Sequence, residues 1–81
     1  MSVESRWEFV RAVPEGEPLS IGGLEVWKHQ WTGTKERVRV KDPLYQQDFT
    51  FDVYEIRDGE KTIAFAAGEF SNGMWGFYVR A

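Results

Sequence analysis

Cysteine is absent from the 81-residue sequence, which excludes disulfides, thiolate nucleophiles and zinc sites built on cysteine. No apolar run approaches the ~20 residues that a membrane-spanning helix needs. The N-terminal stretch MSVESRWEF lacks the apolar segment of a secretory signal peptide. From these absences we expect a cytoplasmic protein that does not interact with a membrane.

Helical periodicity is also missing, because no long window carries apolar residues at i, i+3 and i+4 spacing. Apolar and polar residues alternate instead, with β-branched and aromatic residues between turn signals, a pattern typical of strands. Asp42 before Pro43 in DPLYQQ favours one helical turn over residues 42–47. The dipeptide Gly22-Gly23 favours a tight turn. The alternation predicts strands at 6–13, 24–31, 36–42, 48–57, 60–70 and 74–80.

Aromatic residues are abundant, at 13 of the 81 positions. Large aromatic side chains bury much apolar area, which offsets the small size of a chain without disulfides. We therefore predict a single all-β domain over residues 1–81. The predicted fold is a small six-stranded antiparallel barrel or curled sandwich with a C-terminal three-stranded meander and at most one short helical turn.

Two turn dipeptides predict the register of the last three strands. If Asp58-Gly59 and Asn72-Gly73 each form a two-residue hairpin turn, Val53 lies opposite Ala64 and Phe70 lies opposite Trp75. One sheet face then carries an apolar set that is expected to form the core. Its members are Phe49, Phe51, Val53, Ala64, Ala66, Gly68, Phe70, Trp75, Phe77 and Val79.

The opposite face of the same meander is more apolar than a solvated sheet face should be. A large exposed apolar patch usually marks an interface, so we predict a protein-binding face, with a second copy of the chain as the first candidate partner. The alternative is that the N-terminal strands or residues 15–24 fold over this face. The predicted interaction residues are Tyr54, Ile63, Phe65, Met74, Tyr78 and Arg80.

A basic stripe leads to a second functional hypothesis. Residues 28–41 contain five cationic side chains and a single acidic one, Glu36, although the whole chain carries a net charge of −3. In the predicted hairpin of 24–31 with 36–42, the stripe consists of Lys28, Arg37, Arg39 and Lys41. Basic grooves beside aromatic side chains bind single-stranded nucleic acid, whereas alternating cations on an exposed strand also keep a sheet edge soluble.

Evidence for catalysis is weak in this sequence. His29 is the only histidine, and the predicted hairpin places it beside Val38 at the edge of the core. Asp52 and Glu69 share a sheet face, with Arg80 as the predicted ion-pair partner of Asp52. No nucleophile elbow, phosphate-binding loop or metal-ligand cluster occurs. We predict no catalytic residue, metal site or cofactor, and an enzyme or small-ligand pocket between the sheet and residues 14–23 is the third hypothesis.

Overall fold

The computed structural model describes residues 6–81 and shows an all-β protein. Five strands form an antiparallel sheet in the order β1-β7-β6-β5-β4, and β2 pairs with β3 as a separate ribbon. β1 and β4 are therefore the two edge strands of the larger sheet. The all-β class is confirmed, whereas the pairing among these residues is that of an open five-stranded sheet. The strands are β1 (Trp7–Val13), β2 (Ser20–Ile21), β3 (Leu24–Glu25), β4 (Thr32–Lys41), β5 (Asp48–Asp58), β6 (Lys61–Glu69) and β7 (Trp75–Arg80).

The predicted strand over residues 24–31 is wrong. Only Leu24–Glu25 forms a strand, as β3, and a 3₁₀ turn follows at Val26–Lys28. The Glu25 carboxylate accepts a hydrogen bond from the Trp27 backbone N–H at 2.6 Å, a local bond that competes with strand pairing. β4 consequently begins at Thr32 and pairs with β5, not with residues 24–31. The Gly22-Gly23 turn is confirmed, and both glycines have positive φ.

The β5–β6 hairpin has a register two residues away from the predicted one. Asp58 pairs with Lys61, so the two central turn residues are Gly59 and Glu60. Only Gly59 of the two has positive φ, the pattern of a type II′ turn with glycine first. A shift of two residues keeps every side chain on its predicted face. Val53 therefore faces Ala66 on the same side as predicted.

The β6–β7 hairpin is shifted by one residue, which reverses the faces of β7. Residues 71–73 form a three-residue loop, in which the Gly73 N–H donates to the Phe70 carbonyl and Gly73 has a φ of 82°. A turn followed by a left-handed residue adds a bulge that a two-residue turn lacks. Gly68 therefore pairs with Gly76, and Ala66 pairs with Tyr78.

One side of the sheet, called here the covered face, is covered over its apolar part by residues 14–31. Leu19, Ile21, Leu24 and Val26 from this segment are buried against the sheet. Trp31 lies at the centre, and its indole N–H donates to the Val26 carbonyl at 2.7 Å. The sheet residues in this cluster are Val13, Ile56, Phe65, Ala67 and Phe77, with Tyr54, Ile63, Trp75 and Val79 partly buried around them.

The other side, called here the curled face, is covered by the sheet's own side chains. The Tyr78 hydroxyl on β7 donates to the Lys41 carbonyl on β4 at 2.7 Å, although β6 and β5 lie between these strands. The Arg80 guanidinium also reaches Glu36 of β4, at 2.9 Å. The sheet must therefore curl towards this face. Its buried residues are Val40, Phe51, Val53, Ala66, Phe70 and Tyr78.

Two glycines make room for the aromatic rings on the curled face. A Cβ built on Gly68 would overlap the Phe51 ring, and one built on Gly76 would overlap the Phe70 ring. Phe51 and Phe70 are in turn in contact, with ring centroids 5.5 Å apart. The rings can approach the backbone this closely only because β6 and β7 have no side chain at these positions.

We expect Gly68→Ala to destabilise the fold by about 1–3 kcal/mol, because the added methyl group overpacks the Phe51 ring. Gly33→Ala is the matched control, since a Cβ there meets no atom within 4 Å. Urea unfolding of both variants measures the difference. Adding Phe51→Leu to Gly68→Ala should recover part of the loss, and equal stability of the two alanine variants would contradict this account.

Candidate binding surfaces

The six residues predicted to share an interaction face do not share one. Tyr54, Ile63 and Phe65 lie on the covered face, where Phe65 is fully buried beneath Trp31 with ring centroids 5.0 Å apart. Tyr78 is 3% exposed on the curled face. The one-residue difference in the β6–β7 register separates the two groups, and residues 14–31 cover the first.

Met74 and Arg80 complete that predicted set. Met74 is half-buried, and its carbonyl accepts from the Phe70 N–H at the base of the 71–73 loop. Arg80 is half-exposed, and its guanidinium lies 4.8 Å from the centre of the Trp7 ring in addition to its contact with Glu36. The predicted Arg80–Asp52 ion pair is therefore wrong. These positions leave no broad apolar sheet face exposed among the six residues.

The basic stripe is divided between two elements. Arg37, Arg39 and Lys41 are exposed along one side of β4, whereas Lys28 lies in the 3₁₀ turn. Arg37 Nε is 3.2 Å from Asp52 Oδ1 on β5. The register also places Lys41 opposite Asp48. The cations thus run beside an acidic strand rather than lining a uniformly positive groove.

The candidate acid–base residues are dispersed. His29 Nδ1 donates to the Glu25 carbonyl at 2.8 Å, and Nε2 is 3.9 Å from Asp58, so its predicted position beside Val38 is wrong. Asp52 is held by Arg37, and Glu69 is exposed on β6. The segment 14–31 packs directly on the sheet, and no cavity opens in the part of the chain spanning residues 6–81.

Among residues 6–81, the most exposed large apolar side chains lie in the β4–β5 loop. Leu44 is 78% exposed and Tyr45 is 70% exposed. They are adjacent in sequence, within the segment where Asp42 and Pro43 predict a helical turn. A single turn is present there, closed by a bond from the Gln46 N–H to the Asp42 carbonyl at 2.9 Å.

Asp42 organises this loop. It is the one charged residue buried among those the structure describes, at 6% exposure. Its carboxylate accepts from the Leu44 N–H at 3.0 Å and from the Tyr45 N–H at 3.3 Å. Gln46 has a φ of 59°, a left-handed conformation that is uncommon outside glycine. Buried capping and a strained residue together indicate a loop of defined shape.

A second loop lies against the first. The Ser71 hydroxyl donates to the Gln47 side chain at 3.3 Å, which joins the 71–73 loop to the base of the β4–β5 loop. We call residues 43–47 and 71–73 together the tip. The sequence already signals this surface, because PLYQQ and SNG contain no charged residue in a chain that is 28% charged. Strand alternation does not predict this surface, because residues 43–47 lie in the loop between β4 and β5.

Tyr78 supports the tip from the curled face. Its hydroxyl binds the Lys41 carbonyl, directly before Asp42. Burial, with a smaller contribution from the negative charge of Asp42, raises the pKa of Tyr78 to about 12. Burial and the nearby Asp52 also raise the pKa of Tyr54. Both phenols are therefore neutral at neutral pH, and that of Tyr78 donates its hydrogen bond to the Lys41 carbonyl.

Comparison of the chain with protein-family models, with curated proteins and with solved structures gave no match. Across residues 6–81, the structure contains no helix of the length and apolar character needed to cross a membrane. Function must therefore be inferred from the surfaces themselves.

We expect Tyr78→Phe to lower the stability by about 1 kcal/mol near neutral pH, because it removes the bond to Lys41. In the folded state the pKa of Tyr78 is raised to about 12, whereas an unfolded tyrosine releases its proton near pH 10. The free energy of unfolding of the wild type therefore falls by about 2–3 kcal/mol as pH rises from ~10 to ~12. The phenylalanine variant has no such decrease from this position.

Urea unfolding of both proteins across this pH range measures the effect as a difference. The wild type should be the more stable protein below pH ~10, and its advantage should disappear and then reverse towards pH ~12. A difference that stays constant with pH would contradict the assigned role of Tyr78.

Proposed function

We propose that this protein is a non-catalytic protein-interaction module that binds its partner through the tip. The observation that carries this proposal is the exposure of Leu44 and Tyr45 on a loop of defined shape. Exposed leucine is ordinary when it occurs singly. A neighbouring leucine and tyrosine on a loop organised by a buried aspartate are a more specific arrangement, because tyrosine is among the few residue types that supply most of the binding energy at interfaces.

The charge distribution supports the same surface. The tip has no charged residue, whereas the turn at the opposite end of the sheet, residues 57–61, has four charged residues in five. Protein interfaces are depleted of charged side chains at their centres and enriched in tyrosine. The two ends of one small sheet thus differ in their content of charged residues, the property by which the centre of an interface differs from a solvated surface.

The order of the loop favours binding as well. Asp42 fixes the backbone of Leu44 and Tyr45, and Ser71 ties the neighbouring loop to Gln47. A loop ordered before binding loses less conformational entropy when the partner arrives. The proposal requires no cofactor, and the lack of cysteine suits a reducing compartment such as the cytoplasm. A second copy of the chain remains the first partner to test.

A photo-crosslinking experiment tests the tip directly. We expect benzoylphenylalanine in place of Tyr45 to give discrete protein adducts in cells of the source organism, since a side chain at this position would lie within the interface. The same probe in place of Glu60, which is exposed at the opposite end, is the matched control. An adduct with twice the mass of the chain would identify a second copy as the partner.

The variant Leu44→Ser, carrying the probe at position 45, should lose those adducts while its urea unfolding stays within about 0.5 kcal/mol of the parent, because Leu44 is mostly exposed. Equal adducts at positions 45 and 60, or none at position 45, would contradict the proposal.

Binding of single-stranded nucleic acid is the second candidate. The observation that favours it is the exposure of Tyr45 four residues beyond Lys41, which places a stacking ring beyond the end of a cationic strand. Arg39 and Lys41 are the exposed cations nearest to this ring in sequence.

Fluorescence anisotropy with a labelled oligothymidylate at low salt measures this activity. If nucleic acid is the ligand, Arg39→Ala with Lys41→Ala should weaken binding and flatten its dependence on salt. The matched control is Arg11→Ala with Arg57→Ala, which removes the same charge elsewhere. No binding by the wild type at low salt, or equal loss in both variants, would exclude this second candidate.

A further inference from the structure

β4 is an edge strand whose outer side is not paired with any strand within residues 6–81. On its inner side, residues Arg37–Lys41 pair without interruption with residues 48–52 of β5. This half of the strand is therefore regular, and its outer N–H and C=O groups form a row that ends at Lys41, whose carbonyl already accepts from the Tyr78 hydroxyl. Such a row is the template for adding another strand.

The other edge of the sheet is less suited to strand addition. β1 has a register shift between Phe9 and Arg11, where Val10 has no partner on β7. Bulges of this kind interrupt an edge and turn its hydrogen-bonding groups out of line. The two edges are thus unequal, and residues 37–41 of β4 form the more regular one.

Side chains on β4 alternate in chemistry. Val38 and Val40 face the curled side, where Val40 is buried, whereas Arg37, Arg39 and Lys41 are exposed on the other side. Arg37 is paired with Asp52. Arg39 lies opposite the neutral Thr50, and neither Arg39 nor Lys41 forms an ion pair with any residue in the described part of the chain.

These cations select among strands that might add to the edge. A second copy of β4 would bring arginine and lysine against arginine and lysine, and like charges on adjacent strands are destabilising. An extended peptide with acidic residues at every second position has the same two-residue period as the cations. It would place carboxylates beside Arg39 and Lys41, so the charges that oppose self-pairing favour an acidic strand.

We propose that the outer edge of β4 over residues 37–41 binds an extended acidic peptide as an added antiparallel strand. Backbone hydrogen bonds hold the peptide, and Arg39 and Lys41 select its acidic residues. This surface does not include the exposed Leu44 and Tyr45, so the inference stands without the function proposed for the tip. Nucleic acid is the competing ligand for the same cations, and it differs because it cannot continue the β-sheet ladder.

The test uses the isotope-labelled full chain and a short synthetic peptide that alternates glutamate with threonine and valine. We expect amide chemical shifts to change along residues 37–41, and hydrogen exchange to slow at alternate β4 amides, because an added strand protects only the outward N–H groups. The same peptide with lysine in place of glutamate should bind at least about tenfold more weakly. Oligothymidylate should leave the exchange of β4 amides unchanged.

A pair of charge-reversed variants provides the specificity control. Arg39→Glu with Lys41→Glu should weaken binding of the acidic peptide about tenfold or more. Arg11→Glu with Arg57→Glu changes the net charge equally, at exposed positions outside β4 and away from residues 37–41, and should bind within about twofold of the wild type. All four substituted side chains are exposed, and the amide spectrum of each variant verifies its fold before titration. Should a reversed variant fail to fold, Arg39→Gln with Lys41→Gln replaces it, with Arg11→Gln and Arg57→Gln as its control.

Three results would overturn the inference. They are equal loss of binding in the two charge-reversed variants, chemical shift changes without slowed exchange on β4, and slowed exchange produced by oligothymidylate but not by the acidic peptide.

Discussion

The packing of Trp31 against the covered face is the interaction on which the rest of the fold depends. Its ring contacts Tyr54, Phe65 and Phe77 from the sheet and Trp27 from the 3₁₀ turn, all with centroids within 6 Å. Its indole N–H is satisfied by Val26. This contact holds the segment 14–31 against the sheet, and β4 begins at the next residue, Thr32. A surface that would otherwise be an exposed aromatic patch becomes the larger of two cores.

The covered face determines what remains available for binding. Because residues 14–31 cover the apolar part of one side and the sheet curls over its own rings on the other, no broad apolar face is exposed among residues 6–81. The surfaces left exposed are the polar part of the sheet, its ends and its edges. The tip and the outer edge of β4 are the two such surfaces with distinctive chemistry, one uncharged and aromatic, the other cationic. Tyr78 links them, because its bond to Lys41 holds the point where β4 ends and the tip begins.

Much of the strand content could be predicted from sequence, but the faces of β7 could not. Alternating side chains and turn residues locate β5, β6 and β7 to within one or two residues, because both signals are local. The dipeptide Asn72-Gly73 is compatible with both two-residue and three-residue loops. The choice between them depends on which β7 side chains pack better on each face, and that is a tertiary property. With Phe77 beneath Trp27 and Trp31, and Tyr78 reaching Lys41, the three-residue loop buries both.

By itself the sequence determined the all-β class, the positions of the long strands in the C-terminal half, the turns at Gly22-Gly23 and Asp42-Pro43, and the uncharged character of the tip. These features depend on residues close together in the chain. Only the tertiary structure decided that 24–31 turns back over the sheet, that β4 is an edge, and that Leu44 and Tyr45 stay exposed while Phe65 and Tyr78 are buried. Exposure depends on contacts between distant segments, and the alternation of side chains along a strand does not specify which of its two faces another segment will cover.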